Sequence, residues 1–151
     1  MNTYLVDGYE LKYKQERPDM YTITLLQIEN KFEIAKIYYV VYGNELYISL
    51  IMVEEEYRGQ GIGTYLIFIL IEYYINFHNK SNDCSEKVIA LEDMSDRPWK
   101  KDNIYIKLGF KYSDEEPFPD MLAYVKDVYN DKNISQFNTK YRKTNGIFKK
   151  V

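Results

Sequence analysis

Cysteine occurs once, at Cys84, and histidine once, at His78. A lone cysteine excludes an intramolecular disulfide and suits a reducing compartment. One Cys and one His give no credible set of zinc ligands, so no metal is expected. A basic excess is missing too. The formal net charge of −3 argues against general affinity for nucleic acid or an anionic membrane, because both reward a positive surface. The segment Met1-Asn2-Thr3-Tyr4-Leu5-Val6-Asp7 lacks the charged and apolar regions of a signal peptide. The most apolar stretch, Ile62 to Phe77, is interrupted by Glu72 and opens among glycines. It reads as a buried helix and not as a membrane span. The expectation is a cytoplasmic, metal-free protein of one domain, since 151 residues hold one sizeable core and not two comfortable ones.

What is present in quantity is tyrosine, with 17 residues. Ile, Asn and Lys are plentiful as well, a bias that AT-rich codon usage produces. Most of the tyrosines are therefore read as packing and not as a stacking platform for bases.

Along the chain, Gly8 to Gln15 is strand-like and breaks at Glu16-Arg17-Pro18-Asp19. Met20 to Glu29 follows with β-branched residues at Thr22, Ile23, Thr24 and Ile28. Asn30-Lys31 turns the chain into Phe32 to Tyr42, where Phe32, Ile34, Tyr38 and Val40 are expected on one face. Gly43-Asn44 turns it again into Glu45 to Val53. The period then changes: Leu66, Ile69, Leu70, Tyr73 and Phe77 recur at helical spacing, and the helix is expected to end near His78-Asn79-Lys80. Lys87 to Glu92 is a short buried strand after a polar loop. Asp96-Arg97-Pro98 reads as the start of a second helix that runs to Leu108 and stops at Gly109. Phe110 to Tyr112 and Met121 to Val128 read as strands. Residues 1–128 make the domain. Tyr129 to Val151 is a polar, basic tail, either partly disordered or docked along the domain edge.

Chemistry concentrates at Arg58-Gly59-Gln60-Gly61-Ile62-Gly63, between a strand and a helix. Three glycines allow left-handed backbone and close approach of a ligand. The helix N-terminus presents N–H groups and partial positive charge to an anion, and a pyrophosphate is a natural occupant. No Lys-Ser/Thr follows the last glycine and the spacing does not continue as G-x-G-x-x-G, so the two better-known nucleotide loops fit poorly.

The pattern Arg58-x-x-Gly61-x-Gly63, with Ile51-Met52-Val53 before it, Tyr57 beside it and a long apolar helix after it, resembles the acyl-CoA motif of the GNAT superfamily of N-acetyltransferases. Tyr105-Ile106-Lys107-Leu108-Gly109-Phe110 resembles the family's second signature, a tyrosine followed four residues later by Gly-Phe. The likeness spans roughly Tyr21 to Val128. Leu91 to Asp96, followed by Asn103-x-Tyr105, is most similar to small members encoded by large DNA viruses. The resemblance implies an α/β fold: a mixed, mostly antiparallel sheet of about seven strands with the main helices packed on it. It implies acetyl-CoA as cosubstrate and direct acetyl transfer to an amine, without a covalent acyl-enzyme. Cys84, with no His partner nearby in sequence, is not read as a nucleophile.

Residue by residue, the resemblance assigns the pyrophosphate to the backbone of Arg58, Gly59, Gln60, Gly61, Ile62 and Gly63, with Thr64 close behind. Ile51, Met52 and Val53 would pair with the pantetheine arm like an added strand, beside a bulge that polarises the thioester. Tyr105 falls where the family's tyrosine protonates the departing thiolate. Asn103 is a cofactor-binding candidate, although the family's Asn position corresponds to Pro98. Many members carry a Glu on the fourth strand, where this chain has Tyr47. Glu45, Glu92 and Asp93 (and Asp96) are the candidates for general base. Members usually also have two helices between their first two strands, roofing the acceptor pocket. This chain has only Glu16 to Asp19, so that side is expected to be open, closed by a second subunit of a homodimer, or covered by the tail. Acidic loops (Glu54 to Glu56, Glu92, Asp93, Asp114 to Glu116) favour a cationic acceptor. A polyamine or other small amine comes first, a protein lysine or N-terminus second. An inactive acyl-CoA-binding module is the non-enzyme alternative.

Overall fold

The computed structural model describes residues 4–78, 87–93, 103–113, 120–141 and 146–149. Four antiparallel strands open the main sheet: β2 (Tyr9–Gln15), β3 (Met20–Gln27), β4 (Glu33–Tyr42) and β5 (Glu45–Val53). Tight links join them, as the turn signals require. Glu16 N–H donates to Met20 O across the first link (2.9 Å), and Asn30 Oδ1 accepts the Phe32 N–H in the second (3.0 Å). The helix α1 (Ile62–Tyr73) then crosses over to β6 (Val88–Glu92), which lies parallel to β5. After α2 (Ile104–Leu108) come β7 (Lys111–Tyr112) and β8 (Asp120–Tyr124), giving the seven-stranded order β2-β3-β4-β5-β6-β8-β7. The mixed, mostly antiparallel sheet expected from the sequence is the sheet observed.

One face of this sheet forms the core. Ile23, Leu25, Ile37, Tyr39, Leu46, Ile48, Ile89, Leu91 and Met121 are buried on it with α1. α1 itself is buried from Ile62 to Ile71 apart from Gly63, which explains its lack of a polar stripe: a helix apolar all round needs cover on both sides. The second cover comes from the end of the chain. After the one-turn α3 (Val125–Val128), α4 (Asp131–Tyr141) places Phe137 against Phe68, with ring centroids 5.7 Å apart. A small sheet of β1 (Tyr4–Leu5) and β9 (Phe148–Lys149) brings Phe148 to 4.8 Å from the Tyr65 ring. Phe137, Ile147 and Phe148 are all buried in the common core.

Three local expectations are corrected. The core face of β4 carries Ile37 and Tyr39, not Tyr38 and Val40, and Phe32 precedes the strand. Ile34 is an extra residue opposite the Leu25/Leu26 step; such a bulge shifts the alternation that periodicity assumes. Within the described residues the second helix begins at Ile104, because Asn103 has extended backbone (ψ 132°). Its expected start at Asp96-Arg97-Pro98 lies outside the described residues, as do Cys84 and Asp114 to Glu116. Finally, Val125 to Val128 leaves the sheet and coils into α3; its β-branched residues mimic a strand but are buried by tertiary packing.

The other face of the sheet carries Leu50, Met52, Leu122 and Tyr124, which are 44%, 52%, 41% and 51% exposed. The four-residue link between β2 and β3 contains no helix. No described helix is long and apolar enough to cross a membrane.

Candidate active site

The glycine-rich turn is tied to the end of β5 by its own arginine, whose Nε donates to Val53 O at 3.0 Å. Gly59 and Gly61 both take left-handed φ of +80°, and Gly61 is the N-cap of α1. The first N–H groups of α1, which have no helical acceptor, therefore open beside the free end of β5. A cavity of about 220 Å³ lies there. Ile51, Val53, Arg58, Gly59, Gly61, Ile62, Gly63 and Thr64 line it, together with Tyr105 and Tyr141. Gln60 is not part of that lining, and Met52 faces the adjoining cleft.

The free edge of β5 has a definite cause. Ser49 is an extra residue opposite the Tyr38/Tyr39 step, and β5 pairs with β6 only from Glu45 to Ile48. Beyond Ile48 and Leu91 the two parallel strands part. The gap holds a second cavity of about 110 Å³, lined by Ser49, Leu50, Ile51, Glu92 and Tyr105 among others. A larger cleft of about 700 Å³ runs past Ile51 to Val53 towards Lys36, Tyr38 and Glu54. Strand-like backbone that has no neighbouring strand on that side among the described residues can pair with an extended amide-bearing chain.

Tyr105 lines all three spaces. Burial, and then the negative charge of Asp93, raise its pKa above the ordinary tyrosine value. A phenol so placed stays protonated through neutral pH and is a proton donor. Its helix is held by a buried network. Asn103 Oδ1 accepts the N–H groups of Tyr105 (2.9 Å) and Ile106 (3.3 Å), and Asn103 Nδ2 donates to Asp93 Oδ2 (3.0 Å). Tyr112 Oη donates to the same carboxylate oxygen at 2.7 Å. Asn103 and Asp93 are 1% and 0% exposed. At the other end, Gly109 stops α2 where Asp127 O lies 2.5 Å from the position a Cβ would take.

Of the candidate bases, Glu92 shares the gap with Tyr105. Glu45 sits at the start of β5, opposite Val88 and three residues before the strands part. Tyr47 lies between the acids: burial raises its pKa first, then the charges of Asp120, Glu92 and Glu45. Asp120, directly across from Glu92 on β8, was not foreseen, because cross-strand register is a long-range property. Tyr141, from the tail, was missed for the same reason. Among the described residues no group of three or more His, Cys, Asp or Glu side chains could hold a metal.

The sequence matches the model of the acetyltransferase (GNAT) domain over residues 23–112. No curated protein matches it by sequence. Among solved structures, a spermidine N-acetyltransferase chimera of Vibrio cholerae SpeG and hSSAT is 18% identical, with 74% of this chain and 70% of that one covered and a TM-score of 0.55. The ribosomal-protein-S18-alanine N-acetyltransferase of Escherichia coli is also 18% identical, with 73% and 72% covered and a TM-score of 0.54. The PaiA N-acetyltransferase of Thermoplasma acidophilum in complex with coenzyme A is 19% identical over 70% of this chain, with a TM-score of 0.49, and the chain spans 61% of its length. With the family's domain model covering more than half of the sequence and its fold reproduced around the turn and Tyr105, the chain belongs to the GNAT family of N-acetyltransferases, whose donor is acetyl-CoA.

Proposed function

We propose that the protein transfers the acetyl group of acetyl-CoA directly to a cationic primary amine, with a polyamine-like small molecule as the first acceptor class. The observation that carries this reading is the position of Tyr105, which borders the donor cavity and the β5–β6 gap at once. The donor supplies an acetyl group activated as a thioester. The turn from Arg58 to Gly63 and Thr64 holds its pyrophosphate, and the edge of Ile51 to Val53 holds its arm. Tyr105 keeps a proton available for the departing sulfur. An alkylammonium must first lose its own proton, at a cost of about 4–5 kcal/mol near neutral pH. Glu92, which lines the same gap, is the acceptor for that proton, directly or through water. The carboxylates of Glu92, Asp120 and Glu45 around Tyr47 attract a cation to the sheet face beside the gap. Asp93 and Asn103 act on this site through the position of α2.

A second reading is favoured by the sheet face on which, among the described residues, Leu50, Met52, Leu122 and Tyr124 are exposed. Such a surface leaves space for a lysine side chain or N-terminus carried on a protein. The test is a panel of polyamines, small amines and lysine- or N-terminus-bearing peptides, assayed with the native chain and with Tyr105→Phe. Turnover that falls about tenfold or more in the variant supports the enzyme. Binding of CoA with no turnover of any acceptor replaces it with an acyl-CoA-binding module.

A further inference from the structure

The helix α4 lies outside the residues that match the family's domain model, 23–112, yet it touches both the glycine-rich turn and the helix that carries Tyr105. At one end, three ring atoms of Tyr141 stand 2.7–2.9 Å from where a Cβ on Gly61 would be. The ring is held on its other sides by Phe137, with centroids 5.1 Å apart, and by Lys140, whose Nζ is 5.1 Å from its centre. At the other end, Asn133 Nδ2 donates to Val128 O (2.9 Å) and to Leu108 O (3.0 Å), the last carbonyl of α2. Asn133 is itself fixed, its N–H donating to Asn130 Oδ1 at 2.9 Å. Between these ends, Phe137 packs on α1 through Tyr65 and Phe68, with centroids 6.3 and 5.7 Å apart. A groove of about 130 Å³ runs between α1 and α2, with Thr64 on one wall and Ile104 and Leu108 on the other. α4 spans it, packed on α1 through Phe137 and bonded to α2 through Asn133.

We propose that Tyr141 and Asn133 are positioning residues for acetyl transfer: through them α4 sets the glycine-rich turn against the helix that carries Tyr105. The proposal rests on the roles given above to the turn, as donor site, and to Tyr105, as proton donor. The two contacts have separate tasks. Gly61 takes left-handed backbone with φ of +80°, a conformation that glycine also leaves at little cost. A ring seated on it restricts the alternatives. The first N–H groups of α1 are then in place before an anion arrives, and binding requires less ordering. Asn133 acts at the far end of α2. A helix of five residues has too few internal hydrogen bonds to hold itself, so its ends must be tied from outside. Asn103 ties the start and Asn133 the end. Tyr105 is thereby kept beside the donor cavity, where a displacement of about 1 Å costs up to about 100-fold in rate.

The test is calorimetric titration of the full chain with CoA, joined to steady-state kinetics with acetyl-CoA and spermidine, or the amine of the panel that turns over fastest. Rates are expressed per CoA-binding site, so that unfolded chain is not counted. Tyr141→Ala is expected to raise the KM for acetyl-CoA and the Kd for CoA about fivefold or more, with kcat within about twofold. Tyr141→Phe keeps the ring and should restore both constants. Asn133→Ala should do the reverse, lowering kcat about tenfold and leaving CoA affinity within about twofold. In a Tyr105→Phe background it should lower kcat no further, because the phenol that it aims is gone. An unchanged kcat for Asn133→Ala, or a loss that persists in Tyr105→Phe, overturns the proposal while the donor site stands. So does a Tyr141→Ala variant that binds CoA as the native chain does. A native chain that binds no CoA, or turns over no amine, overturns the reading beneath the proposal, and the proposal with it.

Discussion

Asn103 links Asp93 to the helix that carries Tyr105: its amide donates to Asp93 Oδ2 at 3.0 Å while its carbonyl oxygen accepts the Tyr105 N–H at 2.9 Å. One side chain thus sets both where α2 begins and how the phenol is aimed. Both buried residues are candidates for contact with donor or acceptor, and their hydrogen bonds also hold the start of α2.

Replacing Asn103 with Ala should destabilise the fold by about 1–3 kcal/mol, combining a lost N-cap with a lost hydrogen bond to a buried carboxylate. Denaturant unfolding measures that loss. Asn103→Ser restores the cap but not the bond to Asp93, and should recover only part of it. Full recovery by Ser would show that the bond to Asp93 contributes nothing.

The two left-handed glycines separate backbone strain from packing. Gly59→Ala meets nothing within 4 Å and should cost only the left-handed penalty of about 1–2 kcal/mol. Gly61→Ala adds a collision with the Tyr141 ring and should cost more. Adding Tyr141→Ala to Gly61→Ala should bring the two glycine variants back together, as a double-mutant cycle would reveal.

Glu92 and Glu45 make a second pair of contrasting positions. Glu92→Gln should lower kcat/KM by about tenfold or more at neutral pH and by less as pH rises, because a base is needed only while the amine is protonated. Glu45→Gln should leave it within about threefold, a screened surface effect. Equal losses in the two variants would move the proton acceptor away from the gap.

His78 gives the fold a pH dependence of its own. It stands 3.3 Å from Tyr39 Oη, and its ring packs edge-on to Tyr21 and Tyr73. Burial lowers its pKa below the usual 6.5. The unfolded chain therefore takes up a proton before the folded one does, and stability falls as pH drops below 6.5 towards the folded value. Melting temperatures from about pH 7 to about pH 5 should fall more steeply for the native chain than for His78→Phe.

The sequence made short-range features readable and left the others hidden. The hairpins announced themselves through Asn30-Lys31 and Gly43-Asn44, and the donor turn through its glycines, because each is a local backbone requirement. The bulges at Ile34 and Ser49 did not, since an extra residue in a ladder is defined by the partner strand. Asp120 beside Glu92 and Tyr141 beside Gly61 depend on register and docking between segments distant in sequence. The burial of Phe137 and Phe148 in the core has no periodic signature in a polar, basic stretch. Val125 and Val128 looked extended because propensity speaks before packing does.

The four-residue link from Glu16 to Asp19 has a chemical cost as well as a steric effect. A sheet face that admits a bulky acceptor admits water with equal ease, and water is itself a nucleophile towards a thioester. Thioester consumption is therefore expected to exceed acetylated product when amine is scarce, a ratio that parallel assays of free thiol and acetylated amine measure. Coupling of thioester consumption to product, rather than speed, is the quantity this short link is expected to govern.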